Sequence, residues 1–477
     1  MISHRHQVIT GLMFTGLLAL ATTALASGPS DLEQATQGQL VLRVPVGHQA
    51  DLADQYGLRI VGQVQGHGNL VLVESPAGMT AEQLQDLLAG DHRIDSMESA
   101  ALASLPSDNA RSWTPDNDVW ADVVRTDAAT TSCFTRSSVD SAWSGYTHQR
   151  AAALIDLPGA HLRSADCGSV TVAVIDTGVD PDHALLADAL VPGYDFIRGE
   201  AGAASDWSNL DQSTQAILET SLRAFATQST QAILEGNGEV VMLDASMGPV
   251  LDPVLASVLD GSDYPAFFGH GTMVAGLIRL VAPQARIMPL RVFDGEGNGH
   301  VFQIIDAIYY AVDHGADVIN MSFSMLEASQ ELREALRYAR QHGVIAVAAA
   351  GNDGAQAQVY PASLPEAVGV AATTFDDALA TFSNHGASLV DVAAPGAGVI
   401  STFPGGNFAA GWGTSFSAPL VSGTLALIHD LFTQNDSADQ QHRVNALKQG
   451  SESLPDFQGD IGSGRLNVEG TLAEAQH

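Results

Sequence analysis

The sequence predicts an α/β protein: a mainly parallel sheet with helices on both faces, preceded by a small α+β unit. Three observations predict it. From residue 170 onward, short runs rich in Val, Ile and Ala (170–175, 287–292, 318–323, 344–349 and 367–372) read as strands buried on both faces. Between them, 302–314 and 330–342 read as helices, and strands that alternate with helices pair in parallel through crossovers. Ahead of them, residues 39–97 compress the order strand, helix, strand, strand, helix, strand into one short stretch.

Arg5 and two histidines precede an apolar run at 8–20, and Ala24, Leu25 and Ala26 offer small residues before Ser27. These are the parts of a secretory signal peptide, expected at 1–26, and they place the mature protein outside the cell or in a periplasm. The alternative, an N-terminal anchor, needs about 20 apolar residues, more than the run supplies. No other stretch is long and apolar enough to span a membrane. Strands at 39–44, 58–63, 69–74 and 93–97 with helices at 50–56 and 80–88 give the βαββαβ order of a ferredoxin-like unit. Between an export signal and a larger domain, 27–103 reads as a removable pro-segment, with a permanent N-terminal domain as the alternative. Residues 104–143 are polar and without a period, as in a linker or extended arm, and the main domain follows at 144–477.

Lys and Arg total 20 against 54 Asp and Glu, a formal net charge of -34. Such a surface repels phosphate backbones, which argues against nucleic acid as a partner. The chain holds two cysteines, Cys133 and Cys167, and export to an oxidising compartment predicts that they form a disulfide; two buried free thiols are the alternative. The octapeptide Gln-Ser-Thr-Gln-Ala-Ile-Leu-Glu begins at 212 and again at 228. Two copies do not make a solenoid, so 203–262 reads as an insertion decorating a rim, either a structural flap or a surface for a partner.

In a sheet of this kind, sites form beyond the carboxyl ends of the strands, and the informative residues fall there. Asp176 ends an apolar strand, where a carboxylate held away from water needs partners. His270, between Gly269 and Gly271, opens a small-residue helix, and imidazole suits proton transfer near neutral pH. Asn352 follows the strand at 344–349 and can aim an amide donor outward. Ser415 stands at the mouth of an apolar helix, where free N–H groups and the helix dipole favour negative charge. Each alone also fits a turn or a cap.

Together they resemble the subtilisin-like serine peptidases, or subtilases. The resemblance rests on Val-Ala-Val-Ile-Asp-Thr-Gly-Val-Asp at 172–180, Gly-His-Gly-Thr-Met-Val-Ala-Gly at 269–276, Ala-Ala-Gly-Asn at 349–352 and Gly-Thr-Ser-Phe-Ser-Ala-Pro at 413–419. The order Asp, His, Ser is that of the family. The resemblance implies a subtilisin-like fold and a secreted, autoprocessed serine endopeptidase that cuts polypeptides through an acyl-enzyme. It implies that Ser415 attacks, His270 carries the proton, Asp176 orients the imidazole, and Asn352 with the Ser415 N–H holds the oxyanion. By the same analogy Met321, Ser322 and Phe323 offer a strand edge to the substrate, and Ala349, Ala350 and Gly351 form part of the pocket wall. Val359, before Tyr360 and Pro361, predicts a shallow uncharged pocket for small or medium apolar residues. The leader resembles subtilase pro-segments, which assist folding and inhibit the site.

No cofactor is required by this reading, and a monomer is expected. Structural calcium is compatible with it but not located. The stretch 183–186 lacks the aspartate that many relatives use for calcium, and Asp294, Glu296 and Asn298 mimic only part of a calcium loop, since Ile305 stands where Glu is needed. Two other readings remain open from sequence: a binding protein on a peptidase scaffold, and a hydrolase of small esters or amides.

Overall fold

The computed structural model describes residues 38–76, 78–105, 144–164, 168–202, 204–210, 212, 215, 241–242, 249–250, 265–432, 437–457 and 459–476. The expected signal peptide, both cysteines of the expected disulfide, most of the 104–143 linker and most of the octapeptide region lie outside the described residues.

The leader forms β1 (Gln39–Arg43), α1 (Val46–Tyr56), β2 (Arg59–Gln63), β3 (Leu70–Glu74), α2 (Ala81–Leu88) and β4 (Ser96–Ser99). Its antiparallel sheet runs β2-β3-β1-β4. Helix α2 starts where Thr80 and Gln83 close a capping box, satisfying two N–H groups that the first turn would otherwise leave bare. The last strand begins three residues later than the sequence suggests. Asp91 explains the delay: its carboxylate accepts from the Arg93 N–H at 3.0 Å and from Arg93 Nε at 2.9 Å, holding 91–94 in a turn.

Alternation along β1 reveals two buried faces. Leu40 and Leu42 pack with Leu52, Val71, Leu84 and Leu88 beneath the leader's own helices. Val41 points the other way, into a core shared with Phe302 and Ile305 of the main domain. The leader is thus docked by its open sheet face, which antiparallel sheets normally leave to solvent.

The main sheet has eight strands in the order β16-β15-β14-β13-β6-β11-β7-β8. They are β6 (Thr171–Asp176), β7 (Gly193–Asp195), β8 (Glu200–Gly202), β11 (Arg286–Arg291), β13 (Val318–Met321), β14 (Ile345–Ala349), β15 (Ala367–Thr373) and β16 (Val392–Pro395). All pair in parallel except the β7–β8 hairpin. Helices α3 (His270–Val281) and α6 (Thr414–Leu427) cover one face, α4 (Val301–Asp313) and α5 (Gln330–Gln341) the other, and α7 (Ser437–Gly450) and α8 (Val468–Ala475) close the chain. Neighbouring residues of β6 accordingly enter different cores: Val172 and Val174 pack with α3 and α6, Ala173 and Ile175 with α4. This is the α/β sheet the sequence predicts.

A second sheet, β17-β18-β10-β9, joins β17 (Ala397–Phe403) and β18 (Asn407–Trp412) to two short strands, β9 (Val241–Met242) and β10 (Pro249–Val250). The described part of the rim insertion therefore extends a sheet. Its expected start needs correction, because Ala204 and Asp206 are fully buried and Ala204 O accepts the Val179 N–H at 2.8 Å. Ala204, Asp206 and Leu210 thus reach into the core, while the residues between them stay half-buried.

Ordered pairing of the leader also runs past the expected boundary at 103. Strand β5 (Leu102–Ser104) pairs antiparallel with β12 (Asn298–His300), Ser104 bridges Ser324 on its other side, and the Leu105 N–H donates to Gly297 O at 2.9 Å. Backbone groups on both flanks are used, so the chain there is a third strand laid between two edges.

Candidate active site

Asp176 is the last residue of β6 and is fully buried. Its Oδ1 accepts from the Thr177 N–H at 2.7 Å and from His270 Nδ1 at 2.8 Å. That bond fixes the orientation of the imidazole. His270 opens α3 after Gly269, whose φ of 84 lies in the left-handed region that glycine adopts without strain. Gly271 follows for a different reason: a Cβ there would stand 2.0 Å from Gly178 O, so only glycine lets the helix start reach the loop after Asp176.

Ser415 lies in the first turn of α6, buried beside α3, with the Phe416 ring 5.6 Å from the imidazole. A proline inside this helix explains how it is tied to the sheet. Pro419 has no N–H, so the Ser415 carbonyl, four residues earlier, loses its helical donor. The Ser322 hydroxyl donates to that carbonyl at 2.9 Å, and the Ser415 hydroxyl donates in return to Ser322 O at 3.1 Å. Asn320 Nδ2 donates to Ser322 Oγ at 2.9 Å, and Ser422 Oγ donates to Asn320 Oδ1 at 2.8 Å, completing a buried polar chain from β13 to α6.

Asn352 Oδ1 accepts from the Thr414 N–H and the Thr414 hydroxyl, each at 2.9 Å. With its oxygen occupied, Asn352 turns its amide NH2 toward Gly413, where an added Cβ would lie 3.1 Å from Nδ2. A fixed amide donor beside a helix N-terminus is suited to a developing oxyanion. The remaining expected residues divide into backbone and side-chain roles. Met321 and Phe323 bury their side chains in the core, Phe323 with its ring 5.2 Å from Phe293, so this segment presents main chain to the cleft. Ala349 ends β14, Ala350 and Gly351 follow it, all three are buried, and Val359 is buried in the same core as Phe323.

The expected polar loop at 294–298 is closed on itself, with Asp294 Oδ1 accepting from the Glu296 and Asn298 N–H groups at 3.0 and 2.9 Å. Among the described residues no group of three or more His, Cys, Asp or Glu could hold a metal ion.

A stretch matching the subtilase family model runs from 168 to 456 and contains every residue placed above from β6 to α6. The chain belongs to the subtilase family. It is therefore a subtilase-family serine peptidase, a hydrolase of peptide bonds. Thermitase from Thermoactinomyces vulgaris is 35% identical over 264 residues, 55% of this chain and 76% of that protein. A thermophilic serine proteinase from Bacillus sp. (strain AK1) is 33% identical over 54% of this chain, which spans only 51% of that relative's length. Among solved structures, fervidolysin of Fervidobacterium pennivorans, described as a keratinolytic enzyme, superposes with a TM-score of 0.66 at 21% identity, over 92% of this chain and 61% of that one. The epidermin leader peptide processing protease of Staphylococcus aureus gives 0.62 at 19% identity, over 92% and 98%. At these identities the structures speak to fold.

Sequence reading missed the groups behind Asp176. Thr177 and Thr272 lie inside quoted motifs, yet their hydroxyls signal nothing in one dimension. Asp206 sits in a stretch read as rim, and only its burial marks it.

Proposed function

We propose that the subtilase is a secreted serine endopeptidase, made as a precursor, in which Asp176, His270 and Ser415 form the triad. The Ser415 oxygen attacks the scissile carbonyl, His270 Nε2 takes its proton and returns it to the leaving amine, and Asp176 stabilises the imidazolium. Asn352 Nδ2 and the Ser415 N–H hold the oxyanion. These steps ask only for side chains and backbone, with no cofactor in the chemistry.

The observation that carries the reading is the leader strand. Ser104 is bridged to Ser324, and two residues back along that edge Ser322 O holds the Ser415 hydroxyl. An extended peptide added to a sheet edge is how a peptidase can bind many sequences through main chain alone. The edge that receives the leader therefore runs toward Ser415, and the cut that frees the mature enzyme falls near the start of the 104–143 segment.

Intact mass and N-terminal sequence of the secreted protein test this, wild type beside Ser415→Ala. Wild type is expected to begin near the start of the 104–143 segment, having lost about 100 residues, and Ser415→Ala to keep the leader. A wild type that keeps the leader and ignores a fluorophosphonate probe would overturn the reading.

A further inference from the structure

Behind the Asp176–His270 pair lies a second carboxylate for which the triad has no use. Asp206 is fully buried, in a short 3-10 turn at Asp206–Asn209. Its Oδ1 accepts from the Thr177 hydroxyl at 2.6 Å, and its Oδ2 accepts from the Thr272 N–H at 3.0 Å and from the Thr272 hydroxyl. One residue therefore grips both the exit of the strand that carries Asp176 and the first turn of the helix that carries His270. Burial of this kind, with no cation among its direct partners, is expensive for a carboxylate whose task is structural alone.

Thr177 is the hinge of the arrangement. Its Oγ1 accepts from the Gly271 N–H at 3.1 Å and has one proton to give, with Asp206 Oδ1 at 2.6 Å and Asp176 Oδ1 at 3.3 Å as the two acceptors. While Asp206 is ionised the proton goes to Asp206. Once Asp206 is protonated it becomes a donor itself, and the Thr177 proton turns to Asp176 Oδ1, the same oxygen that receives His270 Nδ1.

We propose that Asp206 is a positioning residue of the catalytic pair, which through Thr177 sets how strongly Asp176 holds the imidazolium of His270. This rests on the triad reading given above. Ionised Asp206 draws the Thr177 proton away and adds its own negative charge, and both effects favour the imidazolium. Protonated or neutralised, it gives Asp176 a competing donor. The titratable and charged groups around it are Asp176 and Asp180 from β6 and the following loop, His270 on α3, His183 beyond Asp180, and the buried Arg291–Asp195 pair beyond Asn209. Burial raises the Asp206 carboxyl to about 7, with the two threonine hydroxyls opposing the rise, so the exchange falls where imidazole also titrates.

The test is the pH profile of kcat/KM for peptide hydrolysis by the matured wild-type, Asp206→Asn, Thr177→Val and Thr177→Ser proteins, each normalised by fluorophosphonate active-site titration. An asparagine that accepts from Thr272 presents NH2 to Thr177 and locks the threonine proton on Asp176. Asp206→Asn is therefore expected to lower kcat about tenfold, the size of one weakened charge-assisted hydrogen bond, with little change in KM. Its acid limb should move down by roughly 0.5–1 pH unit. Thr177→Val should move that limb and Thr177→Ser should restore it. An acid limb unmoved in both Asp206→Asn and Thr177→Val, while the folded fraction still labels, overturns the role. Should Asp206→Asn not fold, the valine and serine pair decides alone. A wild type that does not label fails the triad reading instead, which keeps the two failures apart.

Discussion

The catalytic corner and the leader interface bury polar groups in opposite ways. Around Ser415 and Asn352 the partners belong to the main domain and are neutral hydroxyl, amide or backbone groups: Ser322, Asn320, Ser422, Thr414. Under the leader the partners are ionised and come from two units. Arg43 and Ser96 of the leader close on Glu331, while Glu98 receives the Ser329 hydroxyl at 2.6 Å and the Gln330 N–H at 3.0 Å at the start of α5. Neutral groups cost less to desolvate than charges, so parting them regains less hydration. Charges at an interface are rehydrated when the units part, so their pairing is the kind that can be undone. On the proposed pro-segment reading, the second region is the one that has to separate.

The largest break in that comparison is expected in the corner. Asn352→Ala removes the amide donor and leaves Thr414 without its acceptor, and kcat should fall about a hundred- to a thousandfold with KM nearly constant, measured on a short peptide substrate. A fall of less than about tenfold would show that Asn352 only holds Thr414.

A smaller effect is expected at Ser322, which tests whether the corner's stability lies in its neutral chain. Ser322→Ala strips the donor from a carbonyl that Pro419 has already left bare, and it deprives Asn320 of its acceptor. Unfolding in urea should show a loss of about 1–3 kcal/mol. Equal midpoints for mutant and wild type would mean that water replaces the hydroxyl.

How much of this the sequence discloses follows the range of the interaction. The main-sheet strands β6, β11, β13, β14 and β15, with α4 and α5, are legible within one or two residues because apolar periodicity is local. Asp176, His270, Asn352 and Ser415 are legible because each stands where an element begins or ends, flanked by glycines or small residues. The expected strand at 318–323 stops at Met321 because Ser322 leaves the ladder to bond α6, which no local pattern announces. Asp206 is illegible for the same reason, since its partners lie 29 and 66 residues away. Strand β5 was hidden by composition: Leu102–Ser104 is too short to read as a strand without the two edges that receive it.

The sharpest test of a separable interface is its pH dependence. Asp306 on α4 accepts the leader's Gln65 N–H at 2.9 Å, and burial beneath the leader pushes its carboxyl up to about 6. A carboxyl raised above its ordinary value near 3.8 binds its proton more tightly in the docked state. Docking is therefore unpenalised below that ordinary value, weakens as pH climbs toward about 6, and is fully penalised above it. Asp306→Asn removes the penalty while keeping an acceptor for Gln65. In the Ser415→Ala precursor it should slow hydrogen exchange at the β1 amides roughly tenfold or more above pH 6, about 1–3 kcal/mol, and change nothing near pH 3.5. Exchange slowed equally at both pH values would mean that the asparagine packs better, and that the charge of Asp306 plays no part in loosening the leader.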